Sequence, residues 1–281
     1  MLNSLDLPKV PMSEGVEKAV DWIKETFAWI FEPIKENVPD FLDWFASLLT
    51  SVPPLIMILV IAVLAFFLTG KKIGLTVFTV IGLLFIQNQG LWEPLCYTFT
   101  LVLFASLISV IVGVPVGILM SKSNWAQNII TPILDFMQTM PAFVYLIPAV
   151  AFFSIGMVPG IFASFIFATP PVVRFTNLGI RQVSTELVEA ADAFGTTGIQ
   201  KLLKVELPMA KATIMAGINQ TVMLSLSMVV IASMIGAKGL GRDVLSALQN
   251  ADVGPGFVAG TAIVVLAILI DRFTQLVNKN A

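Results

Sequence analysis

Residues 94–121 read PLCYTFTLVLFASLISVIVGVPVGILMS, a run of 28 residues without a charge, bounded by Glu93 and Lys122. About 20 consecutive apolar residues cross the hydrocarbon of a bilayer as a helix. There every backbone N–H and C=O must be paired, and a helix pairs them within itself. The stretch predicts a membrane-spanning helix. Others surround it, so the fold class is all-α, a polytopic helical membrane protein. Residues 44–70 and 73–92 precede it. The charge-free run 136–173 after Asp135 is too long for one span, and Gly156-Met157-Val158-Pro159-Gly160 offers a turn in its middle, so it reads as two. Residues 212–237 and 253–270 complete a set of seven.

Composition agrees. Of 281 residues, 57% are hydrophobic and 12% charged, against about 25% charged in a soluble domain. Lipid must be the solvent for much of this surface. The sequence has no histidine and one cysteine, Cys96. That excludes most transition-metal centres, Ser-His-Asp triads, Cys-His pairs and disulfides, and no metal site is expected. Cys96 reads as a packing or lipid-facing residue. A net charge of −2 points to no nucleic-acid partner. No signal peptide is expected, since the first 50 residues lack a basic start followed by a short apolar core. No Gly-rich phosphate loop is present, so no nucleotide site of the chain's own is expected.

Sidedness follows from Lys and Arg in the loops. Alternating the seven spans puts Lys71, Lys72, Lys122, Arg174, Arg181, Lys201, Lys204, Lys211, Arg272 and Lys279 on one side, ten of the 16 basic residues. That side is expected to be the cytosol, with the N-terminus outside and the C-terminus inside a multi-pass cell-membrane protein. Residues 1–52 differ in kind. Val16, Val20, Ile23, Phe27, Ile30 and Ile34 recur at helical spacing, charged residues lie mostly off that stripe, and Trp22 and Trp29 flank it. This predicts an amphipathic helix, lying in the membrane interface or packed on a partner chain. Asp40 to Leu49 reads as a second short interfacial piece before Pro53-Pro54. Residues 53–92 then hold two peripheral spans.

The most polar stretch after the N-terminal segment is Arg174 to Lys211, with nine charged residues in 38. A helix is predicted from Thr185 to Phe194, with Leu187, Ala191 and Phe194 on one stripe. Gly195 stands where a left-handed residue ends a helix. Thr197 and Gln200 form a capping-box pair for a second helix, with Ile199, Leu202 and Leu203 as its apolar stripe. Pro208 ends it or marks the return into the next span. Such a hook is built to be gripped by a partner, or else folds back on its own helices.

Glu189-Ala190-Ala191, three residues, Gly195, nine residues, Val205, one residue, Leu207 and Pro208 resemble the signature loop of ABC-importer permeases, the binding-protein-dependent transport inner-membrane components. The one departure is Val205 for isoleucine, which nearly conserves volume. The resemblance covers about residues 94–275 and implies a type I ABC importer permease fold: about seven spans with a five-helix core over 93–281, the coupling loop 174–211, and an N-terminal amphipathic interfacial helix. It implies that Glu189, Ala190, Ala191 and Gly195 sit in a groove on a cytosolic ATPase. ATP and Mg would be bound by that partner and no cofactor by this chain. It further implies a homodimer of permease subunits, two ATPase subunits and a separate extracytoplasmic substrate-binding protein, since no receptor domain follows Ala281.

Three other features carry expectations. Thr131-Pro132 reads as a helix start, with Asp135 either complementing the positive end of that helix or serving function, as membrane carboxylates do by default. Gln138-Thr139-Met140-Pro141, Tyr145 and Pro148 resemble the glycine betaine and osmoprotectant subgroup. Each proline frees a carbonyl four residues back, those of Met137 and Val144, beside a pathway or buried among neighbours. Asp135, Gln138, Met140, Pro141, Tyr145 and Pro148 are thus translocation or gating candidates. Gly236, Lys238, Gly239, Leu240 and Gly241 also resemble that subgroup, with a short helix after them carrying Val244, Leu245 and Leu248. They are candidates for docking the binding protein, or a plain connecting loop. The resulting function is ATP-driven uptake of glycine betaine or a related quaternary-ammonium osmolyte by alternating access. The alternative is a secondary transporter driven by an ion gradient.

Overall fold

The computed structural model describes residues 12–68 and 73–280, with side chains to Leu276. Lys71 and Lys72, both used for sidedness, lie outside the described residues, as does the side chain of Lys279. Every described element is helical: α1 (Met12–Thr26), α2 (Ala28–Ser51), α3 (Pro54–Leu68), α4 (Ile73–Asn88), α5 (Trp92–Lys122), α6 (Asn124–Thr139), a 3-10 turn (Ala142–Tyr145), α7 (Leu146–Phe153), α8 (Met157–Arg181), α9 (Thr185–Ala193), α10 (Gly198–Lys201), a π turn (Leu202–Glu206), α11 (Leu207–Ser233), α12 (Leu240–Asn250) and α13 (Val253–Asn280).

The seven charge-free stretches do not become seven equal spans. Four helices among the described residues are long and apolar enough to cross a bilayer: α5, α8, the continuous helix Gly198–Ser233, and α13. Two more stretches are bent pairs, α2 with α3 at 89° and α6 with α7 at 107°. The remaining one, α4, has 16 residues. The breaks fall at Val52-Pro53 and Met140-Pro141, where the residue before proline is held extended (Val52 ψ 127°, Met140 ψ 134°). Charge-free length counts residues and is blind to such breaks.

Three further expectations are corrected. The N-terminal stripe is not one helix: it is interrupted at Phe27 (ψ 19°). Asp40 to Leu49 is no separate interfacial piece but the continuation of α2, whose Leu42 and Ala46 are buried. Phe31 anchors α2 by stacking on Phe152 at 4.9 Å and meeting Phe153 edge-on at 5.5 Å. Thr131-Pro132 does not start a helix. The Ser123 hydroxyl accepts from Ala126 N–H at 3.2 Å, so α6 begins at Asn124, ahead of Thr131, and Pro132 lies inside it.

The core is α5, α8 and α11. A Cβ on Gly113 would lie 2.4 Å from Val172 Cγ1, and one on Gly117 2.7 Å from the Val173 carbonyl oxygen, so α5 meets α8 almost backbone to backbone. Small residues permit that approach where apolar burial gives helices little reason to associate in lipid. The pairs advance together, Gly113 with Val172 and Gly117 with Thr176, so α5 and α8 run parallel. Gly179 meets Ala210 while Gly217 meets Val172, so α11 runs antiparallel to α8. Three buried hydroxyls are satisfied by their own helices: Thr100 donates to Cys96 O, Ser109 to Ala105 O and Ser164 to Gly160 O, each at 2.8 Å. Leu101, Val102, Val229 and Leu266 fill the largest apolar cluster, between α5, α11 and α13.

Candidate functional site

The polar hook lies between α8 and α11. The Ser184 hydroxyl accepts from Leu187 N–H at 3.4 Å and starts α9. Gly195, at φ +74°, ends the turn: its N–H donates to Asp192 O at 2.9 Å and Thr196 N–H to Ala191 O at 3.2 Å. The expected capping box is present, with Thr197 N–H donating to Gln200 Oε1 at 3.0 Å and Gln200 N–H to Thr197 Oγ1 at 3.3 Å. Lys201 bridges back to Asp192 at 2.8 Å and ties the two arms together. Ala191 is buried between them, whereas Glu189, Ala190 and Gly195 are exposed. Of the two apolar stripes, Ala191 and in part Leu202 pack inward, while Phe194 is 90% exposed, Ile199 72% and Leu203 59%.

Pro208 does not end the second arm. It has no N–H for the Lys204 carbonyl, and its ring crowds that oxygen. The chain widens into a π turn in which Leu207 N–H reaches Leu202 O, and then continues as α11. Val205 and Leu207 are half-buried and Pro208 is exposed. Between them Glu206, at the free position of the motif, is only 4% exposed and ion-pairs with Lys122 at the end of α5. Arg181, the last residue of α8, donates to Asn177 Oδ1 at 3.0 Å and to Met120 O and Asn124 Oδ1 at 2.9 Å each. In the sequence Lys122 and Arg181 count only as loop charges, and Glu206 carries no assignment. The available signal was a lone carboxylate between apolar Val205 and Leu207.

The candidates on α6 and α7 are partly brought together. Tyr145 is buried and donates to the Met137 carbonyl. Met140 packs beside it, Gln138 and Pro141 are exposed, and Pro148 is half-buried. Asp135 is far from the positive end of α6, so the helix-dipole reading fails; it is exposed and ion-pairs with Arg174 of α8.

At the opposite end, Gly236 (φ +87°) and Gly239 (φ +122°) shape a tight connection before α12. Leu240 N–H donates to Thr98 Oγ1 at 2.8 Å. Gly239, Leu240 and Gly241 are buried, leaving Gly236 and Lys238 as the exposed members of the proposed docking set. Lys238 Nζ lies 2.9 Å from an Asp43 carboxylate oxygen and 5.1 Å from the centre of the Tyr97 ring. Hydrogen bonding to Asp43 raises the Lys238 pKa, against the opposing effect of burial.

A parallel α5–α8 pair, an antiparallel α11 and a polar hook between α8 and α11 define a helical membrane transport subunit. The chain belongs to the binding-protein-dependent transport system inner membrane component family, whose profile matches residues 109–281. It is 56% identical to the glycine betaine/carnitine transport permease protein GbuB of Listeria monocytogenes, over 98% of each chain. It is 49% identical to the glycine betaine transport system permease protein OpuAB of Bacillus subtilis, over 96% of this chain and 95% of that one. Identity to the glycine betaine/proline betaine permease ProW of Escherichia coli is 44%, over 97% and 76%. The MetNI methionine ABC transporter in an inward-facing conformation shares the fold, with a TM-score of 0.61 at 20% identity over 66% of this chain and 92% of that one.

Proposed function

We propose that this chain is the membrane-spanning half of an ATP-driven importer for glycine betaine or a related quaternary-ammonium osmolyte. The observation that carries the energy source is the hook: an exposed apolar face of Phe194, Ile199 and Leu203 beside Glu189 and Gly195. Such a face suits the groove of a cytosolic ATPase, where Glu189 can accept charge-assisted hydrogen bonds. ATP and Mg belong to that partner. One hook per chain implies two permease copies for two ATPase subunits, with a separate binding protein outside. The names of the relatives support the solute class, and the aromatic cage that such a cation needs belongs to the binding protein.

The side carrying Lys122, Arg174, Arg181, Lys201, Lys204 and Lys211 is the cytosol in this reading, with the N-terminus outside and the C-terminus inside. Residues 1–52 form a scaffold segment, 53–92 a peripheral pair and 93–281 the permease core. Asp135, Gln138, Met140, Pro141, Tyr145 and Pro148 border the pathway. The test is uptake competition by a panel of osmolytes in proteoliposomes holding permease, ATPase and binding protein. ATP-dependent uptake that unlabelled glycine betaine suppresses is expected. Uptake by the chain alone on a sodium or proton gradient would refute the reading.

A further inference from the structure

The two ends of the hook are fastened to one place. Arg181 closes α8 immediately before the hook and bonds Met120 O and Asn124 Oδ1. Glu206 closes the π turn immediately after it and ion-pairs with Lys122. Met120, Lys122 and Asn124 surround the bend at Ser123 (ψ 117°) between α5 and α6. The hook is thus a closed loop whose two ends grip the same elbow. From that elbow α6 leads directly into the 107° bend and α7.

We propose that Lys122, Arg181 and Glu206 are positioning residues that carry hook movement to the α5–α6 elbow and so to the bent α6–α7 pair. The proposal rests on the reading of the hook as the ATPase contact. The π turn supports it. π turns recur at functional sites, and this one joins the exposed arm to α11 and ends on Glu206. The side chain of Glu206 is 6% exposed and that of Lys122 40%. A carboxylate so enclosed has a strong preference for keeping its cation, so the hook and elbow move as one body. Arg181 adds a second attachment that straddles Ser123, to Met120 O before it and Asn124 Oδ1 after it, which resists rotation about the first.

The test uses the reconstituted complex of permease, ATPase and binding protein, and reads solute taken up per ATP hydrolysed. Glu206→Gln and Lys122→Met are each expected to lower that ratio about five- to tenfold, the low end of typical coupling between sites, while hydrolysis stimulated by loaded binding protein persists. The charge exchange Lys122→Glu with Glu206→Lys is expected to restore the ratio. A purely structural pair would lower hydrolysis and uptake together, which overturns the proposal, as does a wild-type ratio in both single variants. If Glu206→Gln fails to assemble, Lys122→Met, at the more exposed partner, decides alone. Gly195→Asp separates the two levels. Normal coupling in that variant refutes the hook itself. Uncoupling there, with Lys122→Met and Glu206→Gln still coupled, refutes only the elbow.

Discussion

The Tyr145 hydroxyl donates to the main-chain carbonyl of Met137, across the bend between α6 and α7. The last carbonyls of a helix have no partner inside it, and Pro141 brings no N–H to this end. The Tyr145 side chain supplies an O–H donor instead, from eight residues on. Tyr145→Phe keeps the ring beside Phe167 and removes only the donor. It is expected to cost about 1 kcal/mol, the net worth of a typical hydrogen bond. A lowered thermal unfolding midpoint in detergent checks this, and an unchanged midpoint speaks against it.

Gly195 tests conformation apart from space. A Cβ there meets nothing within 4 Å, yet φ is +74°. An L residue in the left-handed region costs about 1–2 kcal/mol, with Asn tolerating it best. Uptake per ATP is expected to fall in the order Gly, Asn, Ala, Val at position 195. Asp shares the shape of Asn but adds a charge to the exposed turn, so the gap between Asn and Asp measures the partner's response to charge. Equal activity in all variants would contradict a turn that must hold its shape.

Much of the fold was legible because lipid enforces it. Stretches free of charge mark where backbone must pair with itself, and Thr197 with Gln200 announced the second arm through chemistry local to four residues. The bends at Val52 and Met140 were less legible. Proline signals that a helix is disturbed, but neighbours decide whether it kinks or stops: Pro132 lies within α6, whereas Pro141 follows its end. The contacts of Glu206 and Arg181 were not legible at all. Lys122 and Glu206 are 84 residues apart in sequence, and only the packing of α5 and α11 brings them together.

Glycines on the helices separate by what a methyl would meet. At Gly117 it would meet Thr176 Cβ at 2.6 Å and the Val173 carbonyl at 2.7 Å, neither at the end of a flexible chain. Gly117→Ala must part α5 from α8 and is expected to cost about 1–3 kcal/mol. At Gly260 in α13 a methyl meets nothing within 4 Å. Gly260→Ala is expected to stabilise by about 0.4–1 kcal/mol through the unfolded chain. Opposite shifts of the unfolding midpoint check the pair.

Asp43 and Lys238 link α2 to the connection before α12, and both side chains are nearly half exposed. Solvent screening leaves such a pair worth about 0.2–1 kcal/mol. Lys238→Met is therefore expected to shift stability little, and less still in high salt. Because the folded pKa of Lys238 is raised, its contribution is present below the unfolded value of 10.5 and fades as pH climbs through the folded one. An unfolding midpoint measured up to strongly alkaline pH should show that loss in the wild type and not in Lys238→Met.

Asp243 in the first turn of α12 gives the opposite pH response from a paired carboxylate. Its Oδ2 is buried without a hydrogen-bond partner among the described residues, in a cleft of about 400 Å³ that Asp252 also lines. Burial raises its pKa, and the nearby Arg242 only partly offsets that. A carboxyl with a raised folded pKa binds its proton more tightly in the folded state. The charged form therefore weakens the fold at neutral pH, and stability is recovered as pH falls through the folded pKa towards the ordinary value of 3.8. Asp243→Asn holds a neutral group there at every pH. It is expected to unfold at a higher temperature than the wild type at pH 7, with the difference closing as pH approaches 4. A gap that stays constant over that range would show that the carboxylate is not penalised by its burial, and a lower midpoint for Asp243→Asn at pH 7 would show that the helix N-terminus outweighs the burial.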